Sequence, residues 1–129
     1  MDKTTIVIIL IIVVLAVGFF VWQYKPIPQT PVTPTPLPEG IVFFYGDTCP
    51  HCKDVEDYIT ANQIEQKIKY TSLEAFNNQA NAQLLINIGT SCGLDQENIG
   101  AVPLVYDGSK CYLGAPDSIN FFKNAAGIQ

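Results

Sequence analysis

The chain has 129 residues, a length that admits one domain with an appendage rather than two full domains. Hydrophobic residues make up 48% of it, but many sit in one N-terminal run, so the mean hydropathy of +0.21 describes an anchor more than a core. A formal net charge of -5, with no cluster of Lys or Arg to neutralise phosphates, argues against nucleic acid as a partner.

Residues 6–22 read IVIILIIVVLAVGFFVW, and Thr4 and Thr5 extend the uncharged run to 19 residues. At about 1.5 Å per residue a helix of that length just crosses a hydrocarbon core of roughly 30 Å. A cleaved signal peptide is the competing reading. The small triplet Ala16-Val17-Gly18 is followed without a break by Phe19-Phe20-Val21-Trp22, which favours an uncleaved anchor over residues 1–25. Lys3 is offset by Asp2, so the flanking charges favour an N-terminus inside only through the free amine. A two-residue head is easily left in the cytoplasm while the C-terminal portion is exported. Trp22 and Tyr24 then suit the outer aromatic belt.

Residues 26–39 form a spacer: PIPQTPVTPTPLP holds six of the nine prolines, and proline fixes φ and withholds a donor. A semi-rigid polyproline-II stalk is expected, holding the C-terminal portion roughly 40 Å from the bilayer at about 3.1 Å per residue. Residues 40–129 are then enough for one small core.

Within that domain, Ile41-Val42-Phe43-Phe44-Tyr45 is an unbroken apolar run, as expected of a strand buried on both faces. Gly46-Asp47-Thr48 ends it. Pro50 suits a first helical turn, and Cys52, Val55 and Ile59 recur at helical spacing beside Tyr58. Lys67-Ile68-Lys69-Tyr70-Thr71 alternates as a half-exposed strand. Residues 77–91 place Ala80, Leu84, Leu85 and Ile88 on a helix that Gly93 stops. Two apolar runs, 103–106 and 110–113, flank Asp107-Gly108-Ser109 and predict a hairpin. Asp117 or Ser118 is expected to cap a last helix carrying Ile119, Phe121, Phe122 and Ala125. The order βαβ, α, ββα predicts an α/β domain: a mixed four-stranded sheet with helices on both faces, preceded by one transmembrane helix.

The chemistry concentrates in Cys49-Pro50-His51-Cys52. A cysteine at a helix N-terminus meets unpaired N–H groups and the positive end of the dipole, which favour its thiolate. Cys49 is therefore expected to be the attacking nucleophile and Cys52, one turn on and facing the apolar side, the resolving thiol. His51 is the sole histidine and is expected to tune the thiolate by adding positive charge or a hydrogen bond beside it, with an exposed histidine of no role as the alternative. Pro50 reads more as a helix-start residue than as a chemical one.

The stretch from Phe43 through Lys53, with Val102-Pro103 ahead of a DG hairpin, resembles the thioredoxin superfamily, nearest to its glutaredoxin-like members, over residues 40–125. The resemblance implies a thioredoxin-like fold with a cis Pro103 facing the CxxC, and makes Val102 and Pro103 the substrate platform. CPHC is similar to the tetrad of periplasmic disulfide-forming oxidases, although the large helical insertion of those enzymes has no room here. Thioredoxins carry CGPC and commonly an acid six residues before the first cysteine. Phe43 stands there, which shifts the expectation from reductant to oxidase or isomerase. Gly114-Ala115-Pro116-Asp117 matches only part of the glycine pair and acid with which glutaredoxins hold glutathione, so glutathione use is not expected. No cofactor is implied beyond the redox-active Cys49–Cys52 pair.

Cys92 and Cys111 remain. They are expected to form a structural disulfide worth about 3 kcal/mol in the chain-entropy model, with a second redox pair relaying electrons as the alternative. A metal centre of four sulfurs wants two CxxC knuckles and the chain has one, so no metal is expected. The function so read is a single-pass, membrane-tethered thiol–disulfide oxidoreductase with an extracytoplasmic domain. It would act on protein thiols and disulfides or on a membrane redox partner. A non-enzymatic binding module, its CxxC merely structural, is the rival.

Overall fold

The computed structural model describes residues 2–23 and 38–129, in two compact units. The first holds helix α1 (Lys3–Gln23), 21 residues without an acidic residue in its first turn or a basic one in its last. Among the described residues, apolar side chains such as Ile6, Ile9, Val13, Val17, Phe20 and Trp22 are exposed around it, and no single face of them is set aside for a protein core. The segment Lys3–Phe20 is long and apolar enough to cross a membrane. The expected proline stalk falls, apart from Pro38 and Glu39, outside the described residues.

The second unit runs β1 (Ile41–Tyr45), α2 (Pro50–Ala61), a 3-10 turn (Ile64–Gln66), β2 (Tyr70–Glu74), α3 (Gln79–Ser91), β3 (Leu104–Tyr106), β4 (Cys111–Leu113) and α4 (Ala115–Ala125). The sheet order is β2-β1-β3-β4. β2 lies parallel to β1, with Ile41 opposite Tyr70 and Tyr45 opposite Glu74, while β3 and β4 are antiparallel to their neighbours. This is the thioredoxin-like arrangement that the sequence resemblance implied.

The continuous apolar run of β1 has the two-sided burial expected of it. Val42 and Phe44 face one side and pack with Leu85 and Ile88 of α3 and with Leu104 and Tyr106. Phe43 faces the other, against Val55 and Ile59 of α2, Val105, and Ala115 and Phe122 of α4. Each buried Val, Leu, Ile or Phe side chain among them contributes roughly 1.5–3 kcal/mol when removed from water. On this second face Phe122 meets Phe43 edge-on at 5.9 Å and Tyr70 at 5.1 Å. Burial, followed by Glu65, pushes the Tyr70 phenol up to about 12.

Two element boundaries differ from expectation. The strand read over 67–71 forms three residues later, because Ile64 is buried and its carbonyl accepts the N–H groups of Lys67 and Ile68 at 2.9 and 3.0 Å. Those bonds hold the chain in a turn until Tyr70 can pair with Ile41. The last helix begins at Ala115, with Gly114 (φ +86) as its N-cap, not Asp117 or Ser118. Pro116 supplies the preset first turn. Ser118 is instead wholly buried, its hydroxyl donating to the Tyr112 carbonyl at 3.3 Å. The Asp-Gly hairpin forms as read: the Asp107 carboxylate accepts the N–H groups of Ser109 and Lys110 at 2.9 and 2.7 Å, and Gly108 takes φ +97. Burial works against the Asp107 charge, but those donors and the Tyr112 hydroxyl outweigh it and lower its pKa.

Candidate active site

Strand directions gather four chain segments at one end of the sheet. β1 and β2 end there, β3 begins there, and β4 ends there at Leu113, opposite Leu104. Because β1 lies between β2 and β3, the loop carrying Cys49 has the β2–α3 loop on one side and Val102-Pro103 on the other.

Cys49 is the N-cap of α2, in extended conformation, with Pro50 in the first helical turn. Its N–H donates to the Gly46 carbonyl at 3.0 Å, which fixes the loop. The Cys49 Sγ accepts the Cys52 N–H at 3.2 Å. That bond is one of the unsatisfied donors of a helix start turned onto sulfur, and it stabilises negative charge there. Cys49 and Cys52 are joined in a disulfide, Cα atoms 5.3 Å apart. They differ in access: Cys52 is 1% exposed, Cys49 half-buried. The Val102–Pro103 bond is cis, and the Val102 carbonyl oxygen lies 3.8 Å from the Cys49 Sγ. The disulfide sulfur carries no proton, so this is a contact and not a hydrogen bond.

Charges around the tetrad partly cancel. His51 is 78% exposed, and its Nδ1 lies 3.6 Å from an oxygen of Asp54, three residues along the helix. Asp54 thus opposes any positive charge that His51 brings, a pairing readable from the i,i+3 spacing. Lys53 is engaged by Asp57, whose hydrogen bond and charge raise its pKa. Among the described residues the only buried polar side chain is that of Ser118. Phe43, buried under α2, fills the position where an acid would stand.

Sequence reasoning missed the residues that flank the tetrad on the β2 side. Glu74, at the end of β2, accepts the N–H of Phe76 at 2.7 Å and that of Asn77 at 2.8 Å. Burial opposes its ionisation, but backbone donors from Asn77, Phe76, Asp47 and Asn78 outweigh burial and lower its pKa. Asn77 donates through Nδ2 to the Asp47 carboxylate at 3.1 Å, and Asn81 donates to the Glu74 carbonyl at 2.8 Å. Two loops far apart in sequence are thereby tied together. No local pattern announces such a clamp.

Cys92 and Cys111 also form a disulfide, Cα atoms 6.0 Å apart, joining the C-cap of α3 to the start of β4. Cys111 lies opposite Tyr106, and Tyr106 opposite Val42, so this bridge sits at the far end of the sheet from Cys49. Three steps along the strand, about 10 Å at roughly 3.3 Å each, separate Val42 from Tyr45 before the Cys49 loop begins. The two disulfides do not meet within one domain. Among the described residues no group of three or more His, Cys, Asp or Glu is placed to hold a metal ion.

The arrangement of a half-buried capping sulfur, a fully buried partner and a facing carbonyl is chemically suited to thiol–disulfide exchange. No protein-family model matches the chain, and no curated protein matches it. Among solved structures it is similar to the holo form of glutaredoxin C1 from Populus tremula x tremuloides: 21% identity, 67% of this chain and 76% of that one covered, TM-score 0.46. Wheat glutaredoxin gives 18% identity over 70% of this chain and 78% of that one, with a TM-score of 0.48. The glutaredoxin of Archaeoglobus fulgidus gives 17% identity over 67% and 85%, with a TM-score of 0.47. The domain thus combines a thioredoxin-like fold with a CxxC disulfide, and the solved structures it is similar to include glutaredoxins.

Proposed function

We propose that the chain is a membrane-tethered thiol–disulfide oxidoreductase, N-terminus inside and domain outside, acting on exported protein thiols or on a membrane redox partner. The observation that carries this reading is the asymmetry of the tetrad: Cys49 caps the helix with its sulfur on the Cys52 N–H, while Cys52 is sealed beneath it. A substrate thiolate attacks the Cys49 sulfur, the Cys49–Cys52 bond breaks, and its electron pair leaves on Cys52, which takes up a proton. A second substrate thiolate then attacks the substrate sulfur of the mixed disulfide and expels Cys49 as a thiolate, which the helix N-terminus stabilises. The substrate leaves oxidised by two electrons and the domain is reduced by two. A membrane redox partner's disulfide reverses the change.

Net oxidation or isomerisation is the favoured direction. A reductant must deprotonate its buried resolving thiol, and Phe43 leaves no carboxylate beneath α2 to assist. Stabilising the Cys49 thiolate favours the reduced form and makes the disulfide the stronger oxidant. The chemistry requires no cofactor, and the roles given to Val102 and Pro103 are to face the substrate backbone beside Cys49.

The test is trapping in the full-length protein expressed in membranes. Cys52→Ala should accumulate a mixed disulfide through Cys49, visible on a non-reducing gel of the membrane fraction, and Cys49→Ala should accumulate none. Were the CxxC a structural bridge in a binding module, neither variant would trap a partner and the reading would be abandoned.

A further inference from the structure

Phe76 is 54% exposed, one of two large apolar side chains so exposed in residues 38–129, the other being Ile86 on α3. Leaving a ring in water forgoes the free energy of burying it. Yet this ring is held in place. Glu74 accepts the N–H of Phe76 itself and that of Asn77, and the Asn77 amide is tied to Asp47 in the Cys49 loop. The ring lies so close over the buried Gly46 that a Cβ there would fall 2.4 Å from it. Gly46 in turn accepts the Cys49 N–H. The apolar ring is therefore fixed to the loop that carries the reactive sulfur.

We propose that Phe76 is a specificity-determining residue for the exchange reaction, selecting an extended, cysteine-bearing polypeptide with a large apolar residue within about two positions of its cysteine, a reach of roughly 7 Å. The inference rests on the thiol–disulfide reading above. The order β2-β1-β3 defines its occupant: Val102 lies on one side of the Cys49 loop and the Phe76 loop on the other. Only a chain laid across that end of the sheet touches both while its sulfur meets Cys49. A small thiol reaches Cys49 without the ring.

The experiment uses full-length Cys52→Ala protein in detergent micelles, reduced, with two peptides carrying cysteine as a thiopyridyl disulfide. One has leucine beside the cysteine and the other serine. Cys49 attacks the peptide sulfur and thiopyridone leaves, so its absorbance gives the rate. The leucine peptide should react about tenfold faster, as covering part of a half-exposed ring implies. Adding Phe76→Ala should bring it down to the serine peptide's rate, leaving the serine peptide and free dithiodipyridine unchanged; Phe76→Leu should keep most of the preference.

Equal rates for the two peptides in the parent, a preference that survives Phe76→Ala, or an equal slowing of all three probes would overturn the inference. Absence of any reaction at Cys49 would instead remove the thiol–disulfide reading on which it rests.

Discussion

Replacing both Cys92 and Cys111 with alanine separates a structural bridge from an electron relay. The bridge joins residues 19 apart, and closing a loop of that length in the unfolded chain is worth about 3 kcal/mol. Both cysteines also pack, half-buried, against the cluster of Val42, Phe44, Leu85 and Leu104, so the truncations add a smaller packing loss. The closed loop contains β3, whose Leu104 and Val105 are fully buried, so the sheet keeps its register once the bridge is gone. With a urea slope of about 1 kcal/mol/M for a domain of this size, the unfolding midpoint should fall by about 3 M. Circular dichroism of the full-length protein in detergent reads that midpoint, and thiopyridone release reads exchange at Cys49. The expected pair of results is a large loss of stability with the exchange rate retained. An unchanged midpoint would refute the loop-closure argument, and failure of the Cys49–Cys52 pair to be reoxidised in a domain that stays folded would make the second bridge a relay.

The electrostatics of the tetrad can be tested from both sides. His51→Ala should move the pH midpoint of Cys49 alkylation upward and make the pair less oxidising, and Asp54→Asn should move it downward by leaving His51 unopposed, as iodoacetamide rates across pH will show. Glu74 gives a pH signature of stability: its folded pKa lies below the ordinary value of about 4.3, so its contribution is full above that value and is lost as pH falls through the folded pKa. Glu74→Gln should flatten that part of the acid unfolding curve; an unchanged curve would mean that the clamp of Phe76, Asn77 and Asp47 does not depend on the charge.

The sequence carried the elements because local physics dictates them. Five apolar residues in a row admit a two-sided strand, proline after Cys49 starts a helix, and Asp107-Gly108 turns a hairpin whatever surrounds it. It also carried the asymmetry of Cys49 and Cys52, since helical periodicity alone puts Cys52 on the face of Val55 and Ile59. Alternation misled at Lys67-Ile68-Lys69, where burying Ile64 in a 3-10 turn took residues the pattern had assigned to a strand. The capping propensity of Ser118 likewise yielded to its burial under the Tyr112 carbonyl.

Length, hydropathy and the placement of cysteines are properties of the chain read in order, and from them come an apolar helix long enough for a bilayer, one α/β domain and a CxxC at the start of a helix. Contacts between residues distant in the chain are not. Strand order decided that Val102 and Phe76 stand on opposite sides of Cys49, and register decided that Cys111 lies at the other end of the sheet. The clamp from Glu74 to the Cys49 loop exists only because parallel pairing sets Glu74 beside Tyr45. Each of these depends on which strands become neighbours, and that is settled by the joint burial of both sheet faces, a property no single segment possesses.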